Sequence, residues 1–230
     1  MNGEGLQHED GHSHLLASAI PNCRSYDPTF AFEVAVILQD GMRRMLTDQE
    51  DCYYYITLMN ENYAHPAMPE GAAPNIIKGM YKLVDAGPGR AKAPRVQLMG
   101  SGVILRQVMA AAELLRNDWG VASDLWACPS FTELARDGNA VTRWNMLHPT
   151  EKPRTSHVEQ CLAGTQGPVI AATDYVRLVP ESVRAWVPAG RRYVTLGTDG
   201  FGRSDTRAAL RDHFGVDAAH IAAAARRALR

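Results

Sequence analysis

The 230-residue chain has no C-x-x-C pair, and its four cysteines (Cys23, Cys52, Cys128 and Cys161) are widely scattered. That spacing excludes a cysteine-rich zinc module and provides no disulfide framework, so a reducing cytoplasm is the expected setting. Charge of one sign is also lacking. The chain has 24 Lys and Arg against 25 Asp and Glu, a formal net charge of −1, so no nucleic-acid surface is expected. No apolar run approaches the roughly 18 residues that span a bilayer, so no membrane contact is expected. Glu4, His8, Glu9 and Asp10 near the start leave no secretory signal pattern. Internal repeats are absent. What is present is a composition that can build a core: 46% hydrophobic and 21% charged residues, with 13 Pro and 19 Gly as punctuation.

The first fourteen residues are polar, glycine-containing and dense in histidine, an unusual way for a domain to begin. A strand is expected around Ile20 to Tyr26. Asp27-Pro28 then reads as a helix start, with Asp27 as N-cap. Phe30, Val34, Ile37, Leu38 and Met45 recur at helical spacing and predict one buried face over 29–46. Tyr53 to Leu58 is aromatic and β-branched and reads as a strand. Residues 61–94 hold five of the 13 prolines and read as a linker with one ordered piece near Ile76–Leu83. From Arg95 onward strands and helices alternate. Strands are expected at Val96–Met99, Ala122–Cys128, Val169–Ala172 and Tyr193–Leu196. Helices are expected at Val103–Asn117, from Phe131 (capped by Ser130 with Glu133), at Glu181–Ala185, Thr206–Phe214 and Ala218–Leu229. That alternation predicts an α/β fold, a mainly parallel sheet with helices on both faces.

Four motifs carry possible chemistry. His8, Glu9, Asp10, His12 and His14 fall within seven positions. Imidazole and carboxylate suit a metal, one imidazole suits acid–base work near neutral pH, and a solvated polar loop explains the same composition. Gly100-Ser101-Gly102 lies between a strand and a helix, as an anion cradle does, but it is neither G-x-G-x-x-G nor a P-loop, and a tight turn also explains it. Gly197–Asp205 follows a strand end and reads either as a ligand or interface loop or as a turn with Ser204 or Asp205 capping the next helix. Arg143–Pro149 reads as an interface segment or a long packed loop.

Longer strings carry more. Asn2–His14 (NGEGLQHEDGHSH), YYYIT (53–57), NENY (60–63), PAMPEG (66–71), SFTELARDG (130–138), RWNMLHP (143–149), TDY (173–175) and GTDGFGRSD (197–205) resemble, in order, the homodimeric bacterial pyruvate dehydrogenase family. Its members are the thiamine-dependent decarboxylating components of the pyruvate dehydrogenase complex. The resemblance covers nearly the whole chain.

The resemblance implies a fold in two parts. Residues 1–60 are the end of a pyrimidine-binding domain, an incomplete α/β piece. Residues 61–94 are the linker, and 95–230 a transketolase-like C-terminal domain. Family members are several times longer, so the chain is expected to be part of such an enzyme and inactive alone. The implied reaction is oxidative decarboxylation of pyruvate with acetyl transfer to a lipoyl group. The implied cofactors are thiamine diphosphate and Mg2+, with their main binding residues outside this chain. The implied partners are a second copy (a homodimer) and the dihydrolipoyl acetyltransferase component. His8 matches the active-centre histidine, and Glu4 a carboxylate near the same centre. His12 and His14 are assigned loop support, and Asp199 and Arg203 a place at the dimer interface. A non-catalytic dimerisation or assembly module is the alternative, and a metal-binding protein using His8, His12 and His14 a third. Residues 95–230 are expected to be the more stable unit and the initial loop the most mobile.

Overall fold

The structure, a computed structural model, describes residues 9–86 and 93–230. The chain runs α1 (Ser13–Ser18), β1 (Cys23–Tyr26), α2 (Ala31–Met42), which continues as a π-helical turn (Arg43–Thr47), β2 (Tyr53–Ile56), α3 (Ala73–Ile77) and β3 (Tyr81–Val84). It continues with β4 (Arg95–Gly100), α4 (Ile104–Trp119), β5 (Ala122–Ala127), α5 (Phe131–Leu147), α6 (His157–Leu162) and β6 (Val169–Ala172). Last come α7 (Leu178–Glu181), a 3₁₀ turn (Arg184–Trp186), β7 (Tyr193–Leu196), α8 (Arg207–His213) and α9 (Ala218–Ala228).

The described residues form two sheets. β1 and β2 pair in parallel, Cys23 opposite Tyr53 and Tyr26 opposite Ile56. The larger sheet has the order β3-β5-β4-β6-β7, all parallel except β3, which runs antiparallel along β5. The expected mainly parallel sheet is therefore present, with helices on both faces. Val96, Leu98, Leu125, Ala127, Ile170 and Ala172 face α4 and α9 in one core. Met99, Trp126, Cys128, Val169, Ala171 and Tyr193 face α5, α6 and α7 in a second. β4 and β6 are central and buried on both faces; β6 is apolar throughout, and the polar side chain inside β4, Gln97, is paired with Asp124 and Trp126. Tyr26, Phe30 and Ile37 of the first part join the α4 side, so both parts share one core.

Several local readings are corrected. The first strand starts at Cys23, because residues 20–22 turn out of α1. Asp27 does not cap α2. The helix starts at Ala31, and Glu33 accepts from the backbone N–H groups of Thr29 (2.5 Å) and Phe30 (2.8 Å). The ordered piece near Ile76–Leu83 is the end of α3 plus β3, and β3 extends the large sheet. The Arg143–Leu147 segment is not a loop; it is the last turn of α5. There Trp144 lies between the His148 ring, 4.4 Å away, and the Arg154 guanidinium, 3.8 Å from its ring. The helix expected at Glu181–Ala185 is split into α7 and the 3₁₀ turn, and α1 and α6 were not anticipated. The cap of α8 is Thr206, whose hydroxyl accepts from the Ala209 N–H at 3.3 Å, rather than Ser204 or Asp205.

Candidate functional site

In an open parallel sheet, the crevice lies beyond the carboxyl ends of the strands where the chain order reverses. Here that point falls between β4 and β6, and it is occupied by the first part of the chain itself. The backbone leaving β1 places the Asp27 N–H on the Pro129 carbonyl (2.7 Å), while the Gly102 N–H donates to the Asp27 carbonyl (3.0 Å). The Asp27 carboxylate accepts from the Ser101 hydroxyl (2.8 Å) and the Thr57 hydroxyl (3.1 Å), and Ser101 also meets Thr173 at 3.0 Å. Gly102 has φ +48°, and a Cβ there would press into the Asp27 carboxylate. Gly100-Ser101-Gly102 is thus a tight turn, packed against Asp27, and its Ser101 hydroxyl is taken up by that residue's carboxyl group.

Asp27 is fully enclosed. Burial pushes its carboxyl up to about 7. The Ser101 and Thr57 hydroxyls oppose this, and the neighbouring carboxylates of Asp174 and Glu33 add to it. Beside it sits His14 on α1, 3% exposed. Its Nε2 is 3.0 Å from the Thr57 hydroxyl, and its ring meets the rings of Tyr175 at 4.5 Å and Tyr55 at 5.7 Å, edge to face. Burial lowers the imidazole to about 4, against the opposing pull of Asp10. His14 is therefore a neutral packing and hydrogen-bonding group at pH 7. A cavity of about 10 Å³ between His14, Asp27, Ser101, Ser130 and Tyr175 has room for one water.

Beyond this buried group lies the histidine-rich segment. His8 and Glu4, the two residues the sequence puts at the active centre, lie outside the described residues. The segment that follows His8 is described. Asp10 accepts from the N–H groups of His12 (3.1 Å) and Ser13 (3.0 Å) and so starts α1. The Gly11 carbonyl accepts from the Val176 N–H at 3.0 Å. The Glu9 carboxylate rests on Gly202. Asp199 accepts from the Arg177 backbone (2.8 Å) and pairs with its side chain (3.4 Å), while Arg203 is exposed. His12 and His14 do not converge with a third ligand. Among the described residues, the group of three that would fit a metal is Asp212, Asp217 and His220, where Asp217 already caps α9 through the His220 N–H at 2.8 Å. From the sequence Asp27 was singled out only as a helix cap, and Tyr175 and Thr173 only within the TDY string. The available signal was the TDY string and the turn formed by the two glycines around Ser101.

Fold and crevice together define an α/β protein of the transketolase-like class. Solved structures with this fold include the Leishmania mexicana transketolase, with TM-score 0.64 and 15% identity, covering 99% of this chain and 28% of that one. The Campylobacter jejuni transketolase gives TM-score 0.66 and 17% identity over 96% of this chain and 28% of that one. A "split gene transketolase, inactive beta4 tetramer" gives TM-score 0.59 and 17% identity, covering 98% of this chain and 63% of that one.

The family of transketolase-like TK C-terminal domains matches residues 79–217, and that of the pyruvate dehydrogenase E1 component middle domain matches residues 1–66. The pyruvate dehydrogenase E1 component of Cupriavidus necator is 63% identical over 229 residues, covering 100% of this chain and 25% of that protein. The one from Escherichia coli K12 is 57% identical over 226 residues, 98% of this chain and 25% of that protein. The chain belongs to the family of transketolase-like TK C-terminal domains, whose match takes in more than half of it, and it is similar throughout to pyruvate dehydrogenase E1 components. It spans about a quarter of the length of the curated relatives it matches.

Proposed function

We propose that this chain supplies one portion of the decarboxylating component of a pyruvate dehydrogenase complex, which oxidatively decarboxylates pyruvate and transfers the acetyl group to a lipoyl group. In this reading residues 1–60 belong to the pyrimidine-binding domain, 61–94 form the connection, and 95–230 form the last domain. The component is a homodimer in the cytoplasm and hands its product to the dihydrolipoyl acetyltransferase. The carrying observation is the 63% identity over 229 residues to the C. necator relative, a match that covers 100% of this chain and so both parts of the fold.

When bound, thiamine diphosphate with Mg2+ supplies the nucleophilic carbon and the electron sink for loss of carbon dioxide. We assign the diphosphate and metal ligands to other parts of the component. What this chain brings is the segment that carries His8. There the imidazole donates a hydrogen bond to the carbonyl oxygen of pyruvate as negative charge builds on it, and moves a proton at that oxygen. Glu4 tunes His8. Alone, the chain turns over no pyruvate.

The test is a chimera in which this chain replaces the matching quarter of the C. necator relative, run beside the isolated chain. Expected are pyruvate decarboxylation by the chimera within a few-fold of its parent and no heat of thiamine diphosphate binding to the isolated chain. A folded chimera without turnover, or tight cofactor binding by the isolated chain, would overturn the reading.

A second reading, a dimerisation or assembly module, is favoured by a group of exposed apolar side chains on the first part. Leu38 and Met42 of α2, Leu46 of its π-helical turn, and Tyr53 and Tyr55 of β2 all face outward. Self-association of the isolated chain, removed by Met42→Lys and Leu46→Lys, would support it; a monomer by sedimentation velocity would count against it.

A further inference from the structure

Three arginines meet one carboxylate where the linker crosses the last domain. Glu61 Oε1 accepts from Arg106 Nη1 of α4 at 2.6 Å, and its Oε2 accepts from Arg211 Nη2 of α8 at 2.7 Å. Arg207 Nε, also on α8, stands 3.8 Å from Oε2, and its Nη2 donates instead to the Asn60 side chain at 3.0 Å. Among the described residues, no second carboxylate pairs with any of the three. The cluster therefore carries an excess of two positive charges. Around Arg43 and Arg44 the balance is the reverse, with Asp40, Asp48 and Glu50 serving two guanidiniums.

The excess charge is fixed in position. The Arg211 side chain is 8% exposed and that of Glu61 16%, while Arg106 and Arg207 keep 37% and 30% open to solvent. Arg106 lies on the Tyr63 ring, 4.5 Å from its centre. α4 starts at this point without a side-chain cap, so the positive end of its dipole adds to the potential. Of the nine guanidinium nitrogens, the three named as donors are hydrogen-bonded among the described residues. The Nε atoms of Arg207 and Arg211 are shielded from solvent with no hydrogen-bond partner, and the other four nitrogens, which also lack one, are reachable. Neutralising one carboxylate takes one guanidinium. Two more, crowded into a partly buried place, repel one another unless an anion joins them.

We propose that Arg106, Arg207 and Arg211 around Glu61 form a binding site for a phosphate dianion. Two negative charges match the excess. The tetrahedral oxygens accept from several N–H groups at once, which suits planar guanidinium forks arriving from different helices. A lone carboxylate leaves one charge unmatched. Inorganic phosphate and a phosphate monoester present the same group. A bound anion ties the linker to α4 and α8 and stabilises the folded chain by mass action. The proposal is independent of the functional reading above.

The experiment is isothermal titration of the chain with inorganic phosphate above its second pKa, with sodium chloride of equal ionic strength as the blank. Expected is one saturable site, weakened about 10-fold or more by Arg207→Gln, because a charge-assisted hydrogen bond is lost. Arg207 makes neither of the short bonds to Glu61, so the variant keeps that contact. Glu61→Gln removes the carboxylate that competes with the anion, and phosphate is expected to raise the thermal midpoint of that variant more than that of the parent. Phenyl phosphate separates the two sources. Equal binding means that the site admits an ester, and binding of inorganic phosphate alone means that it takes the free ion; both support a phosphate site.

Weak heat from thiamine diphosphate that Arg207→Gln abolishes belongs to this cluster and not to a cofactor seat, so the proposal and the functional reading fail separately. No saturable binding beyond the chloride blank, or binding that Arg207→Gln leaves unchanged, overturns the proposal. Should that variant not fold, the arginine side-chain nitrogen–proton shifts of the parent decide. Phosphate that moves the signals of Arg106, Arg207 and Arg211 and not that of Arg43 supports the site; signals that stay in place, or move all alike, refute it.

Discussion

Asp27 and His14 share one hydroxyl partner, Thr57, and are displaced in opposite directions by the same burial. Asp27 has a folded pKa of about 7 against an ordinary 3.8, so its contribution to stability is present below about pH 4 and is lost as pH rises toward 7. His14 has a folded pKa of about 4 against an ordinary 6.5, so its contribution is present above about pH 6.5 and is lost as pH falls toward 4. Each spans about 3 pH units, or roughly 4 kcal/mol at about 1.4 kcal/mol per unit. The two slopes nearly cancel over the same window. We predict a flat stability profile for these two groups together between pH 4 and 7. Asp27→Asn is expected to make the protein gain stability as pH rises through that window, and His14→Gln to make it lose stability. Urea unfolding at four pH values checks both signs. Equal slopes in the two variants would refute the pairing.

At the level of elements, the start of α5 is the joint between the two parts. The Ser130 hydroxyl caps α5 by accepting from the Glu133 N–H (3.0 Å) and donates to the Ser25 carbonyl on β1 (2.6 Å). Thr132 reaches the same carbonyl at 3.0 Å, and Arg136 donates to the carbonyls of Pro21 (2.7 Å) and Cys23 (2.8 Å). Ser130→Ala removes a cap and leaves a buried carbonyl with one donor fewer, so a loss of about 1–3 kcal/mol is expected, read as a lower urea midpoint with an unchanged slope. The cap itself was legible: a serine followed three residues later by glutamate, ahead of an apolar run. So were the four parallel strands of the large sheet, as short stretches rich in apolar and β-branched residues that alternate with helices. The elements that were not legible owe their form to contacts with distant residues. Asp27-Pro28 has the composition of a helix cap, yet Asp27 is drawn away by Ser101, some seventy positions later. α1 is six residues with a buried histidine, stabilised by Tyr175 and Thr57 rather than by helical periodicity. The last turns of α5 look like a polar loop because Trp144 is covered by Arg154 and His148, and no local pattern announces that.

Across the whole molecule, the proline-rich linker that reads as a divider is fastened to both sides. Glu61 accepts from Arg106 of α4 (2.6 Å) and Arg211 of α8 (2.7 Å), with Arg207 3.8 Å away. Tyr63 lies under the Arg106 guanidinium at 4.5 Å and donates to the Thr29 carbonyl at 2.5 Å. With Asp27 in the crevice of the large sheet and Tyr26, Phe30 and Ile37 in its core, little separates a first unit from a second. The expectation from composition is a stable 95–230 unit preceded by a looser piece. The contacts argue instead for one cooperative transition. Glu61→Gln tests how far the latch carries this. It leaves three guanidiniums around an amide, with Arg211 almost enclosed at 7% exposure, so a buried charge loses its counter-ion. A loss of about 3 kcal/mol is expected for breaking a largely buried pair from one side. Because the latch spans both parts, tryptophan fluorescence and far-ultraviolet circular dichroism should shift together. Two separated transitions in the parent chain would show that the parts unfold independently. A variant in which only the tryptophan signal moved would show that the latch serves the last domain alone.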